Sequence, residues 1–262
     1  LSGGGSPQFP TLSTFARKLR VSLLATEKHQ PSAAVARDGG KSENIFKPQP
    51  VNAKGRAAGT GKRAKIVAGA SSVSGEGQST ALLVTARAFA EAGERVLLVD
   101  GDFWNSPYDF EDEVDQSDWS VRWGNKGHVC ASGVPGLEIL PARLDLSSPD
   151  ALANILGFFS SKECDAVFDE LSGRFDRIFI DAPPLLEVVD SVSLLSRADQ
   201  VIFFSRWKST KSSLVENAIR MLDDVEIRPS FCVATRVRLR EVGRYGDTTL
   251  SHHTQNVVQI TT

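Results

Sequence analysis

Long apolar runs are missing from this sequence. No stretch reaches about 18 consecutive apolar residues, so no segment reads as a membrane-spanning helix. The first residues also lack the charged-then-apolar order of a signal peptide, and the chain reads as cytosolic. Cysteine is scarce: Cys130, Cys164 and Cys232 are scattered, with no CxxC pair and no metal-ligand spacing to histidine. That excludes a disulfide scaffold and a structural zinc site, and predicts reduced, buried thiols. The single methionine is Met221 and the chain opens at Leu1, which implies processing or excision from a longer polypeptide. Charge of one sign is not in excess. Lys and Arg total 30 against 32 Asp and Glu, a formal net charge of -2, which predicts no general attraction to nucleic acid or to an anionic membrane. No repeat of fixed period is visible, which excludes a solenoid.

What is present is ordinary for a globular chain: 262 residues, 41% hydrophobic and 24% charged, enough for one α/β domain with terminal extensions. Residues 1–10 are rich in Gly, Ser and Pro and read as a flexible lead. Over 11–26 the apolar residues Leu12, Phe15, Ala16, Leu19 and Leu23 recur at helical spacing, with Arg17, Lys18 and Arg20 on the other side. Residues 27–63 lose periodicity, collect Pro31, Pro48 and Pro50, and read as a linker. Its second half carries Lys41, Lys47, Lys54, Arg56, Lys62 and Arg63 against Glu43 alone. A solvated loop is the favoured reading there, contact with phosphates or acidic headgroups the alternative. The main domain is expected over 64–246 and a flexible tail over 247–262, with His252 and His253 read as frayed tail rather than metal site.

From Ala64 onward, short apolar runs alternate with helical ones. Lys65–Gly69, Arg95–Asp100, Leu137–Leu140, Arg177–Asp181, Gln200–Ser205 and Phe231–Thr235 read as buried strands, with helices near 78–92, 149–156, 162–173, 189–197 and 211–224. This alternation predicts a doubly wound α/β fold: a mostly parallel sheet with helices on both faces and ligands at the carboxyl ends of its strands.

The chemistry-bearing residues fall at those ends. After the first strand comes Ser71-Ser-Val-Ser-Gly75-Glu-Gly77-Gln78-Ser79-Thr80, opening a helix. Glycines that turn backbone N–H groups inward, followed by the positive end of a helix, are the parts of a phosphate cradle. The spacing is that of a Walker loop, with Ser72 at the first-glycine position and Gln78 where lysine belongs. An amide offers dipolar donors without net charge, and losing one charge-assisted hydrogen bond costs about 1.5–3 kcal/mol. The second strand ends in Val99-Asp100-Gly101-Asp102 and the fourth in Ile180-Asp181-Ala-Pro-Pro184. Either carboxylate alone reads as a turn cap. Both beside a cradle are placed to hold Mg²⁺ or to accept a proton.

In that order, SGEGxST, RVLLVDGDFWNSP, FDRIFIDAPPLLEVVDSVSLLSRADQVIFF, SRWKSTKSSLVENAI and VRLREVGRYG resemble the cytoplasmic domain of bacterial tyrosine kinases, within the Min/Par-like P-loop ATPases. The resemblance runs from about Thr14 to Gly246, and Arg206-Trp-x-x-Thr210 narrows it to the polysaccharide branch. It implies ATP or ADP with Mg²⁺ as cofactors. It also implies polysaccharide co-polymerase and export proteins of the inner membrane as partners, a place on the cytoplasmic side of that membrane, and a homo-oligomer.

By position, Gly75, Glu76, Gly77, Gln78, Ser79 and Thr80 would cradle the phosphates, Ser79, Asp100 and Asp181 would hold the metal, and Asp100, Asp102 and Asp181 would be the catalytic carboxylates. The family's oligomer helix ExxRxxR falls on Thr14, Arg17 and Arg20, without its glutamate. Its base-reading NxVD falls on Thr235-Arg-Val-Arg238, without its asparagine or aspartate. The acceptor-tyrosine cluster is missing after Gly246, which leaves Tyr245 as the candidate near that end. These departures favour a kinase-like regulatory module with a degenerate nucleotide site over a working autokinase. A spatial-positioning ATPase of the Min/Par type ranks third.

Overall fold

Six segments that are apolar on both faces must be covered on both, and burying them side by side in one sheet satisfies their backbone groups at the same time. The computed structural model describes residues 10–29, 63–108, 113–115, 129–142, 156–237 and 257–261. Its strands are β1 (Lys65–Ser71), β2 (Val96–Asp100), β3 (Glu113–Asp115), β4 (Val129–Ala131), β5 (Leu137–Leu140), β6 (Arg177–Asp181), β7 (Gln200–Arg206), β8 (Phe231–Val237) and β9 (Val257–Thr261). They form one sheet in the order β3-β4-β5-β2-β6-β1-β7-β8-β9. Pairing is parallel from β5 through β9, and antiparallel where β4 joins β3 and β5. The expected doubly wound, mostly parallel sheet is what the chain forms.

Among the described residues it is covered by the helices α1 (Pro10–His29), α2 (Gln78–Ala90), α3 (Lys162–Arg174), α4 (Ser191–Leu195) and α5 (Ser212–Asp223). Two cores result, one on each face. Phe168 and Leu171 of α3, Leu194 of α4 and Leu222 of α5 pack with Ile66, Leu97, Ile178 and Val201. Leu82 and Phe89 of α2, with Phe15, Leu19 and Leu23 of α1, pack with Val67, Leu98, Phe179 and Ile202. The α3 N-terminus is fixed by Ser161, whose hydroxyl accepts the Cys164 N–H, and by Glu163 and Asp165 in its first turn.

Four features depart from the sequence reading. The first helix runs on to His29, where the linker was expected to have begun; it is held by Glu27, whose carboxylate accepts from Arg177 at 2.7 Å. β8 is not buried on both faces. Its residues alternate: Phe231 and Val233 pack into the core with α1 and α2, while Cys232 is exposed rather than buried. Residues 257–261, inside the expected tail, form β9 beside β8. β3 joins the other edge with no apolar run to announce it, and β4 with the short run Val129-Cys-Ala131 alone. Residues 156–159 are helical, and the rest of the helix expected near 149–156 and most of the 27–63 linker lie outside the described residues. Among the described residues no helix is long and apolar enough to cross a membrane.

Candidate functional site

The parallel register brings the sequence motifs together. Gly69 of β1 lies opposite Asp181 of β6, and Asp181 opposite Asp100 of β2, so the loop after β1 and the two carboxylates leave the sheet side by side. In that loop Gly75 and Gly77 both take φ of +79°, a left-handed conformation costly for any residue with a Cβ. The backbone N–H groups of Gly75, Glu76, Gly77, Gln78, Ser79 and Thr80 donate to no other group among the described residues. Such a nest at a helix N-terminus is an anion receptor.

The loop is pinned on both flanks. On the β6 side, Leu185 and Leu186 donate their N–H groups to the Ser71 and Ser72 carbonyls at 2.9 and 3.1 Å. Ser74 donates its N–H and its hydroxyl to Glu187, each at 2.6 Å. On the β7 and β8 side, buried Glu76 is the hub. Its carboxylate accepts the Ser72 N–H at 2.8 Å and the Thr210 hydroxyl, and its carbonyl accepts the Thr235 hydroxyl at 2.6 Å.

Gln78 does not reach outward from this loop. Its amide nitrogen donates to Asp181 Oδ1 at 2.6 Å and to the Ala182 carbonyl at 2.7 Å, while its own Oε1 is buried with no partner among the described residues. The other oxygen of Asp181 accepts the Tyr108 hydroxyl at 2.8 Å. Among the described residues, fully buried Asp181 thus has neutral donors only, and burial raises its pKa. Asp100 is raised to about 7, first by burial and then by the charge of Asp181, although the N–H groups of Asp102 and Ala142 bond it at 2.9 and 3.3 Å. Asp102 is half-buried and raised by desolvation; its carboxylate accepts the N–H groups of Trp104 at 3.1 Å and Asn105 at 3.0 Å. Three acidic side chains therefore share the end of the sheet, and the position where a lysine would answer them holds an amide.

Of the residues expected from sequence, Gly75 to Thr80, Asp100, Asp102, Asp181 and Thr235 come together. Arg17 and Arg20 lie elsewhere, on α1: Arg17 is exposed, and Arg20 packs 5.4 Å from the Phe89 ring of its own chain. Thr14 falls within α1, and Arg238 and Tyr245 lie outside the described residues. Tyr108, Glu187 and Thr210 were not read from sequence as part of the site. Tyr108 is buried, and burial followed by the Asp181 charge holds its phenol well above the usual range. A lone tyrosine in a polar loop was the available signal. What makes it part of the site is a partner 73 residues away in the chain.

The unpaired N–H nest fits phosphate, and the Ser79 hydroxyl with Asp181 is a hard-oxygen pair suited to Mg²⁺.

A family model described as an AAA domain matches residues 64–228. The tyrosine-protein kinase CpsD of Streptococcus agalactiae is 27% identical over 194 residues, 72% of this chain and 82% of that protein. The succinoglycan biosynthesis transport protein ExoP of Rhizobium meliloti (strain 1021) is 22% identical over 202 residues, 71% of this chain but 24% of ExoP. The crystal structure of the VpsO kinase domain superposes with a TM-score of 0.54 at 26% identity, covering 64% of this chain and 83% of that one. With the family model matching more than half of its length, this chain belongs to the AAA-domain family, as a P-loop member resembling bacterial tyrosine kinases.

Proposed function

We propose that this chain is a kinase-like regulatory module of a polysaccharide synthesis and export system, with a nucleotide site that keeps its backbone cradle but has lost its phosphate-facing charge. The observation that carries the reading is Gln78, whose amide is spent on Asp181 and Ala182 and brings no positive charge to the loop. Its surroundings point the same way, since among the described residues neutral donors alone answer the buried Asp181.

Mg-ATP, when bound, supplies a transferable phosphoryl group and the cation that offsets its charge. The N–H groups of Gly75 to Thr80 would orient the phosphates, the Ser79 hydroxyl and Asp181 would hold the metal, and Asp100 or Asp102 would accept a proton. Thr235 holds the cradle from behind through Glu76 rather than reading a base through its side chain. The module would work at the cytoplasmic face of the inner membrane beside co-polymerase and export proteins, and its likeness to ExoP, a succinoglycan biosynthesis transport protein, supports an export setting.

Calorimetric titration with Mg-ADP and Mg-ATP, of the unaltered chain beside Gln78→Lys, tests this. Weak or absent binding is expected for the unaltered chain, and a gain of about tenfold or more for the lysine variant, the equivalent of one charge-assisted hydrogen bond. Micromolar binding by the unaltered chain, or phosphoryl transfer to Tyr245, favours the working autokinase instead.

A further inference from the structure

The cradle has β6 on one side and β7 on the other, and the carboxylates all lie on the β6 side. On the β7 side a cavity of about 280 Å³ opens between the loop tip, Val73 to Glu76, and the turn from β7 into α5, with Arg206, Ser209, Thr210, Lys211 and Leu214 as its other wall. Among the described residues neither the Arg206 guanidinium nor the Lys211 ammonium has a hydrogen-bond or ion-pair partner. Glu76, the one carboxylate among the described residues of the wall, is already satisfied by Ser72 and Thr210. The α5 N-terminus opens at the same turn: Lys211 is its N-cap, no side chain caps it, and its first turn carries no acid. Arg206 and Lys211, whose charged groups have no partner among the described residues, thus line one cavity with the positive end of a helix.

We propose that this cavity is a second anion site, separate from the cradle, which takes a phosphate monoester with a small apolar substituent. A guanidinium fork and helix N–H groups match the phosphoryl oxygens, and Val73 and Leu214 form an apolar wall for the substituent. The volume is below the usual range for whole cofactors, so it suits such a fragment rather than a nucleotide. Occupancy reaches the cradle through one side chain, because Thr210 accepts the Arg206 N–H at 3.3 Å and donates to Glu76.

Residue-resolved amide NMR separates this site from the cradle, whichever of them binds. Phenyl phosphate and inorganic phosphate are titrated into the full chain, its Arg206→Gln/Lys211→Gln variant and Gln78→Lys. The expected result is saturable shifts at Ser209 to Leu214 with phenyl phosphate, weakened more than about tenfold in the double variant and kept in Gln78→Lys. Shifts confined to Gly75 to Thr80, no shifts at Ser209 to Leu214, or shifts unchanged in the double variant overturn the proposal. A response to inorganic phosphate alone overturns the monoester assignment. A dispersed spectrum of the double variant shows that loss of shifts is not loss of fold.

Discussion

The guanidinium carbon of Arg177 lies 4.0 Å from the centroid of the Phe89 ring. Its nitrogens hold Glu27 of α1 at 2.7 Å and Glu94 at 2.9 Å, with the arginine side chain 4% exposed. One residue at the start of β6 thereby ties α1 to the sheet through charge and ties α2 to it through a ring. Arg177→Met keeps the stem against Phe89 but leaves two carboxylates without their cation. The expected loss is about 3 kcal/mol in urea unfolding, with early protease cleavage near α1. Glu27→Gln, which keeps a hydrogen-bond acceptor, is expected to cost about 1 kcal/mol. Equal losses would mean that the charge of Glu27 matters more than the burial of Arg177.

Gly101 sits between the two carboxylate-bearing strand ends. A Cβ there would meet Leu194 Cδ1 at 2.8 Å and the Asp181 carbonyl oxygen at 3.1 Å, and the Gly101 N–H already donates to that oxygen at 2.8 Å. Leucine can swing away; the backbone cannot. Gly101→Ala is expected to lower stability by about 1–3 kcal/mol and to push the ends of β2 and β6 apart. Chemical unfolding gives the first, and altered amide shifts at Asp100 and Asp181 the second. A variant as stable as the parent would show that the sheet end can spread at no cost.

The central sheet was legible because its strands are buried on both faces, which writes near-continuous apolar runs such as Ile178-Phe-Ile180 into the sequence. β3 was not legible, since Glu113-Val-Asp115 has no such run and pairs only at an edge. In the site, Asp100 and Asp181 could be placed because strand ends fix them. The inward turn of Gln78, the phenol of Tyr108 and the bridge from Thr210 to Glu76 could not, because each depends on a partner far along the chain. The missing lysine was plain from spacing alone. The donors that answer Asp181 in its place required the fold.

Thr235 tests how the loop is held. Its hydroxyl donates to the Glu76 carbonyl at 2.6 Å, and its side chain lies 3.4 Å from where a Cβ on Gly77 would stand. Thr235→Val keeps the packing and removes the hydrogen bond, for an expected cost of about 1 kcal/mol. Faster hydrogen exchange at Gly75 to Gln78, with exchange in β6 unchanged, is the accompanying signature. Uniformly faster exchange would place the effect in the sheet instead.

Asp100 supplies the pH dependence. Its pKa is about 7 in the folded chain against an ordinary 3.8, with burial the main cause and the Asp181 charge the second. Between those values the unfolded chain has released this proton and the folded chain has kept it, so folding takes up a proton and stability falls as pH rises. The contribution is complete below about pH 4, declines through neutrality and is gone above about pH 7, a span on the order of 4 kcal/mol. Asp181 is raised in the same direction by burial and adds to the slope. Urea midpoints of the parent chain should therefore drop between about pH 4 and about pH 7, and Asp100→Asn, which cannot ionise, should flatten the drop while leaving the remainder due to Asp181. Midpoints that rise over this window, or an equal slope in Asp100→Asn, would mean that Asp100 is ionised in the folded protein and that a cation reaches it.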